Sequence, residues 1–400
     1  MKRILILLLI GIIGIPLSSS IPIKVSSTVW YSQYVFMLGL FFLAISVALW
    51  KFNRYLSMFT LVCLFSVLCI TGQSITSIIY LIHIDLCCLA IYFISRLNER
   101  HRRIALKAVV AIVIIQGIWV CVQYLNIDPI FDIIGDSKKV DDTVGFSGSH
   151  NQIGAFFAIT APAVFYVFPY IIFLTIFGLF NSTTMIACLA FVIVSVLFYF
   201  RSKAIYLVVP LLICSGIIYF NKFETDGLSN YRSRLQPLEV AIQSVNDGEI
   251  LLSRQVSETV EERKTIRCNP IFGFGLANFQ KIFPYYKSDD IIFNTEHSGL
   301  YTHLHNDIGE NFFELGYLGF LIILLIMVDL LIKFKRAEKT KELITYSLCL
   351  LAYVICSCAI FTSYVAASGM WLVIFLGLFY GVIGEQDGKK GEIRLAPVLA

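Results

Sequence analysis

Residues 303–332 read HLHNDIGENFFELGYLGFLIILLIMVDLLI. His303, His305, Asn306, Asp307, Glu310 and Glu314 crowd the point where a long polar segment enters an apolar helix. From Phe320 to Ile332 the chain is apolar enough to continue deep into a bilayer. The polar half therefore stands at a membrane boundary. Ionisable groups there are costly to keep, which makes a reaction centre the first reading.

Outward from this stretch the composition agrees. In 400 residues, 58% are apolar and 14% charged, which excludes an ordinary soluble domain. Apolar runs near the length that crosses a hydrocarbon core recur at 4–20, 31–50, 55–72, 74–95, 104–125, 151–200, 204–220, 309–332, 341–362 and 366–384. The first, behind Met1-Lys2-Arg3, reads as an uncleaved helix because Ser18-Ser19-Ser20 lacks a small-x-small cleavage pattern. The expectation is an all-α polytopic membrane protein with about 10–12 transmembrane helices. It divides into N-terminal helices over 1–220, one large and mainly helical loop over 221–305, and C-terminal helices with a short cytoplasmic tail over 306–400.

Basic residues set the expected orientation. Lys51 and Arg54, Arg96 to Arg103, Lys333 to Lys341, and Lys389 and Lys390 cluster in short connections, which belong in the cytoplasm. The acidic connection with Asp128, Asp132, Asp136, Asp141 and Asp142 then lies outside. So does the long loop, provided an even number of crossings separates the two. That leaves two topologies open. Either 151–200 holds three crossings and 204–220 one, or 151–200 holds two and 204–220 re-enters near Pro210. Arg201 is cytoplasmic in the first and external in the second. The bilayer is the expected partner, and nucleic acid is not.

Ten of the eleven cysteines lie in or beside apolar runs, leaving only Cys268 in the loop, so no disulfide framework is expected. Within the loop, Leu235, Leu238, Ile242 and Val245 have helical spacing, which predicts amphipathic helix within 231–266. Arg263 and Arg267, beside Glu261 and Glu262, read as a charged helix face. Pro270-Ile-Phe-Gly273-Phe-Gly275 reads as a turn rather than a nucleotide-binding loop, for no strand-to-helix context surrounds it.

His303 and His305 would diverge on a helix, so the helix should begin after them. Asp307 followed by Glu310 predicts a capping box with Asp307 as N-cap and Gly309 early in the helix. His305 and Asn306 would then sit at the positive end of the helix dipole, which favours a neutral imidazole next to an anionic ligand. Glu310 and Glu314 share a helix face, and either could serve as a base or orient an imidazole. A His-x-His zinc site lacks a firm third ligand, so no metal is expected. Gly316 and Gly319 suggest close helix packing.

Four features in order resemble the O-antigen ligase and polymerase family of bacterial envelope glycosyltransferases. They are Gly145-Phe-x3-His150-Asn151, Arg201-Ser202 at a helix start, Pro270-x2-Gly273-x-Gly275, and His303-x-His305-Asn306 with Glu314-x-Gly316-x2-Gly319. The resemblance covers about 145–320. It implies transfer of a glycan from undecaprenyl diphosphate to an acceptor hydroxyl, lipid A–core being favoured, in the bacterial inner membrane. No metal, nucleotide sugar or other cofactor is implied. The alternatives within this chemistry are an O-antigen polymerase and a protein O-oligosaccharyltransferase; a flippase for lipid-linked glycan is the alternative outside it. By resemblance the catalytic residues are His305, Arg201 and a loop arginine. Spacing back from Pro270 assigns the last to Arg254. No Trp marks that arginine within 254–270, so Arg263 stays open. His303, Asn306, Glu310, Glu314 and Asn151 are the expected supporting residues.

Overall fold

Asn53 shows how a helix starts in this chain: its Oδ1 accepts the Tyr55 and Leu56 N–H groups at 2.9 and 3.1 Å, and α1 (Arg54–Cys69) follows. The computed structural model describes residues 46, 49–50, 52–70, 75–125, 150–180, 185–199, 237–257, 260–282, 304, 306–358 and 366–395. Mostly these are helical. After α1 come α2 (Ile75–Ser95), α3 (Glu99–Tyr124), α4 (His150–Val167), a 3-10 turn (Pro169–Ile171), α5 (Ile172–Phe180) and α6 (Met185–Tyr199). A helix over 237–247, α7, precedes β1 (Glu249–Ser257) and β2 (Val260–Arg267). The short α8 (Phe279–Ile282), then α9 (Asp307–Arg336), α10 (Lys341–Ser357) and α11 (Ala366–Leu395) complete the order.

Four stretches, 76–95, 99–124, 307–336 and 369–387, are long and apolar enough to cross a membrane. On α9, Leu321, Leu324, Val328 and Leu331 form an exposed stripe at helical spacing. Water would oppose such a surface and lipid favours it, so this is a membrane protein. Within 151–200, Pro169 interrupts the helix after Phe168. The nine residues of α5 then rise only about 13 Å, less than a hydrocarbon core. Both topologies weighed from the sequence also turn on 204–220, which lies outside the described residues.

The chain divides into two compact units. One comprises Met1–Ile23, Phe93–Tyr219 and Arg336–Ala400. Its centre is α4, where Ala155, Phe157, Ala158, Ala161 and Ala163 are fully buried, as expected of a helix packed on all sides. Gly178 of α5 faces the Phe157 ring and Gly117 of α3 faces Leu174, so small residues set how closely these helices approach. Trp371 of α11 packs its ring 5.2 Å from that of Phe156. Arg102, 3% exposed, donates to Leu97 O at 2.8 Å and Glu385 Oε2 at 2.6 Å, and Arg103 Nε donates to Glu342 Oε1 at 3.0 Å. These contacts gather the starts of α3 and α10 and the far part of α11 at one end of the unit.

The other unit comprises Lys24–Tyr92 and Phe220–Lys335. Asn53, before α1, donates to Asp329 near the end of α9, while Ser66 near the end of α1 accepts the Leu276 N–H. Hence α1 and α9 run antiparallel. Arg54, Lys333 and Lys335 lie at one end, and the polar segment around Leu276 packs at the other.

That polar segment departs from the helical expectation. Gly248, at φ 72°, ends α7, and the chain turns into an antiparallel hairpin with Glu249 opposite Arg267, Ile250 opposite Ile266 and Arg254 opposite Glu262. The apolar helical stripe stops at Val245. Beyond it, opposite charges and paired isoleucines suit cross-strand neighbours better than helix neighbours. Arg263 and Arg267 therefore lie on a strand rather than a helix face, and Arg267 Nε stands 3.6 Å from Glu249 Oε2. The chain is mostly helical with this one small sheet among the described residues.

Candidate functional site at the head of α9

The start of α9 is fixed one residue earlier than the sequence suggests. Asn306, not Asp307, is the N-cap: its Oδ1 accepts the Gly309 N–H at 2.7 Å and its carbonyl accepts the Glu310 N–H at 2.9 Å. The carboxamide reaches the N3 amide of a helix beginning at Asp307, so Asp307 becomes its first residue. Glu310 reaches back past the cap, its Oε2 accepting the Leu304 N–H at 2.8 Å. The reciprocal logic of a capping box survives in shifted register.

At Gly316 the helix breaks, with φ 61° and ψ −158°, a region that essentially only glycine occupies. Helical packing was the expectation for this residue; a backbone break is its use. The break leaves main-chain groups without helical partners, and the Pro270–Gly275 turn supplies them. Phe274 and Gly275 N–H donate to Phe313 O and Glu314 O at 2.9 and 2.8 Å, while Tyr317 and Leu318 N–H donate to Pro270 O and Ile271 O at 3.0 and 2.9 Å. Four hydrogen bonds thus restore what the helix loses. Phe274 and Phe313 stack with ring centroids 4.5 Å apart, and Ala241, Val245, Ile250, Phe279 and Leu304 close an apolar cluster around them.

From the other side, Ser66 Oγ accepts the Leu276 N–H and Ser77 Oγ donates to the Leu276 carbonyl, both at 2.8 Å. Leu276 is therefore pinned by α1 and α2 together. Glu314 Oε1 accepts the Phe279 N–H at the start of α8 at 3.3 Å. Glu310 and Glu314 are both fully buried. Each spends an oxygen on a backbone amide, so each holds the turn and the helix head in place.

The expected site residues are distributed as follows. Asn306, Glu310 and Glu314 come together at this junction. His303, His305 and Arg201 lie outside the described residues. Arg254 is in β1 with its Cα opposite Glu262, and Asn151 is in the first turn of α4; their side chains are likewise outside. Among the described residues no three His, Cys, Asp or Glu side chains stand together as a metal site.

Two contributors to the junction, and one buried acid apart from it, escaped the sequence reading. Ser66 and Ser77 sit in apolar runs, where a lone hydroxyl gives no signal of its distant partner. Asp85, in the middle of α2, is 1% exposed, and neither carboxylate oxygen has a hydrogen-bond partner among the described residues. An acid inside an apolar run was the available signal for it. Comparison with protein-family models and with curated proteins finds no match to the chain.

Proposed function

We propose that this protein is a glycan ligase of the O-antigen ligase and polymerase type, acting at the outer face of the bacterial inner membrane. One observation carries the reading. Two motifs on which the resemblance rests, Pro270-x2-Gly273-x-Gly275 and Glu314-x-Gly316-x2-Gly319, interlock through four backbone hydrogen bonds along the helix that Asn306 caps. Two stretches distant in sequence that the resemblance groups together thus form one structure, which supports the reading. Orientation agrees with it: in the second unit the basic residues Arg54, Lys333 and Lys335 lie at the end away from this junction. By the positive-inside rule this distribution supports a periplasmic side for the junction.

In the proposed reaction the acceptor hydroxyl attacks the anomeric carbon of the undecaprenyl-diphosphate-linked sugar. Its oxygen forms the new glycosidic bond as the bond to the diphosphate oxygen breaks on the opposite face, inverting the centre. His305 takes the hydroxyl proton, and the diphosphate leaves with its charge met by Arg201 and Arg254. Asn306 caps α9 and so fixes the chain beside His305. The positive end of α9 lies at Asn306, the residue that follows His305 in sequence.

Purified protein, an undecaprenyl-diphosphate-linked glycan and a lipid A–core acceptor provide the test. The wild-type chain should join them in the presence of EDTA, and His305→Ala should abolish transfer while inserting normally into membranes. Undiminished transfer by the folded variant removes His305 from the reaction. Movement of the lipid-linked glycan across vesicles without transfer supports a flippase instead.

A further inference from the structure

The basic end of the second unit holds a cleft that glycosyl transfer does not use. It is an open cleft of about 250 Å3 lined by Trp50, Asn53, Arg54 and Tyr55 around the start of α1 and by Asp329 and Lys333 in the last third of α9. That is smaller than the roughly 300–1,000 Å3 of sites for drug-sized ligands, so a headgroup-sized occupant fits better.

Its electrostatics favour an anion. Lys333 Nζ donates to both Asp329 oxygens, at 2.6 and 2.5 Å, and Asn53 Nδ2 donates to Asp329 Oδ2 at 3.2 Å. The carboxylate is thereby occupied from within and holds the Lys333 ammonium at the cleft wall. Arg54 is oriented separately, with Nη2 donating to Tyr55 Oη at 2.9 Å and Cζ lying 4.9 Å from the Tyr55 ring centroid. That contact uses one corner of the guanidinium. Its other N–H groups make no hydrogen bond among the described residues. Two cations against one carboxylate leave one net positive charge, which complements a singly charged phosphodiester. The Tyr55 and Leu56 N–H groups are already capped by Asn53, so side chains rather than the helix terminus would hold the anion.

Position identifies the source of that phosphodiester. The cleft sits at the end of membrane helices, and Trp50 is 53% exposed beside it. Trp and Tyr rings favour the headgroup level of a bilayer. Lys335 on α9 adds positive charge, and clustered cations of this kind attract anionic leaflets. We propose that this cleft binds the headgroup phosphodiester of an anionic phospholipid. The Arg54 fork meets the phosphate oxygens, Lys333 adds the second charge, and Trp50 and Tyr55 pack against the glycerol backbone.

The test uses the full chain, delipidated in a neutral detergent and offered phosphatidylglycerol, phosphatidylcholine or inorganic phosphate at equal concentration. Native mass spectrometry reads binding and thermal unfolding reads stabilisation. Phosphatidylglycerol should bind and stabilise, and the other two should not. Arg54→Gln should weaken phosphatidylglycerol binding about tenfold or more, since it removes charge-assisted hydrogen bonds. Arg54→Lys, which keeps the charge but loses the fork, should weaken it less and stands in if the first variant does not fold. Unchanged binding by a folded Arg54 variant overturns the proposal, as does equal binding of phosphatidylcholine. Stabilisation by inorganic phosphate alone assigns the cleft to a soluble phosphate and overturns the lipid reading.

Discussion

Gly273 and Gly316 face each other across a gap that no side chain can enter. A Cβ on Gly273 would stand 2.6 Å from Gly316 N, and one on Gly316 would stand 2.5 Å from Gly273 N. Both residues also have positive φ, 70° and 61°. Gly316→Ala and Gly273→Ala should each lower stability by about 1–3 kcal/mol or more through strain alone, with loss of the interlocking hydrogen bonds in addition. Gly384→Ala is the control, for a Cβ there meets nothing within 4 Å. Unfolding midpoints in detergent should separate the pair from the control; equal midpoints for all three would mean that the turn does not grip the break.

Cys268 reports on the base of the hairpin. Burial pushes its thiol up to about 11, so the thiol stays protonated and slow to react at neutral pH. In a variant keeping only this cysteine, maleimide labelling should rise about tenfold per pH unit from 7 to 10, following the thiolate fraction. Unfolding should return the pKa to about 8.5 and accelerate labelling at pH 7 by about 100-fold or more. A folded-state profile levelling off near pH 9 would place the thiol in water.

What could be read from the sequence tracks the range of the interactions. Membrane helices were legible because length and hydropathy are local, and Phe320 to Ile332 carries its own signal. The polar head of α9 was legible to within one residue; whether Asn306 or Asp307 caps depends on side-chain reach, which both residues share. The hairpin was not legible, because its charges satisfy a helical and a strand pattern alike, and only the Ile250–Ile266 pairing over the apolar cluster decides. Gly316 was recognised as small, but its break requires Pro270 to Gly275 as partner. No local pattern joins those two stretches.

Asp85 lies in a helix long and apolar enough to cross a membrane, with both carboxylate oxygens buried and without a hydrogen-bond partner among the described residues, an arrangement that costs stability. Asp85→Leu should therefore raise stability by about 1–3 kcal/mol, the typical penalty of a buried unsatisfied polar group. Chemical unfolding in micelles measures it. If the variant gains stability and loses glycan transfer, the carboxyl is retained for function. A loss of stability would show that it has a partner in the membrane-embedded state.

Glu310 offers the sharpest separation of positioning from catalysis. Its Oε2 accepts the Leu304 N–H, and the Asn306 N–H bonds back to the Leu304 carbonyl, so residue 304 is held on both sides with His303 and His305 flanking it. If Glu310 acts by holding that segment, Glu310→Gln keeps an acceptor oxygen in place and should retain most of the transfer rate. Glu310→Ala leaves the buried Leu304 amide unpaired and should cost about 1–3 kcal/mol of stability. If the proposed transfer depends on this anchored segment, the rate of Glu310→Ala should also fall by about 10-fold or more. Rates and unfolding midpoints measured on the same preparations decide between the roles. Should Glu310→Gln be as inactive as Glu310→Ala while unfolding like wild type, the charge of the carboxylate itself is needed, and the proposal of His305 as sole base fails.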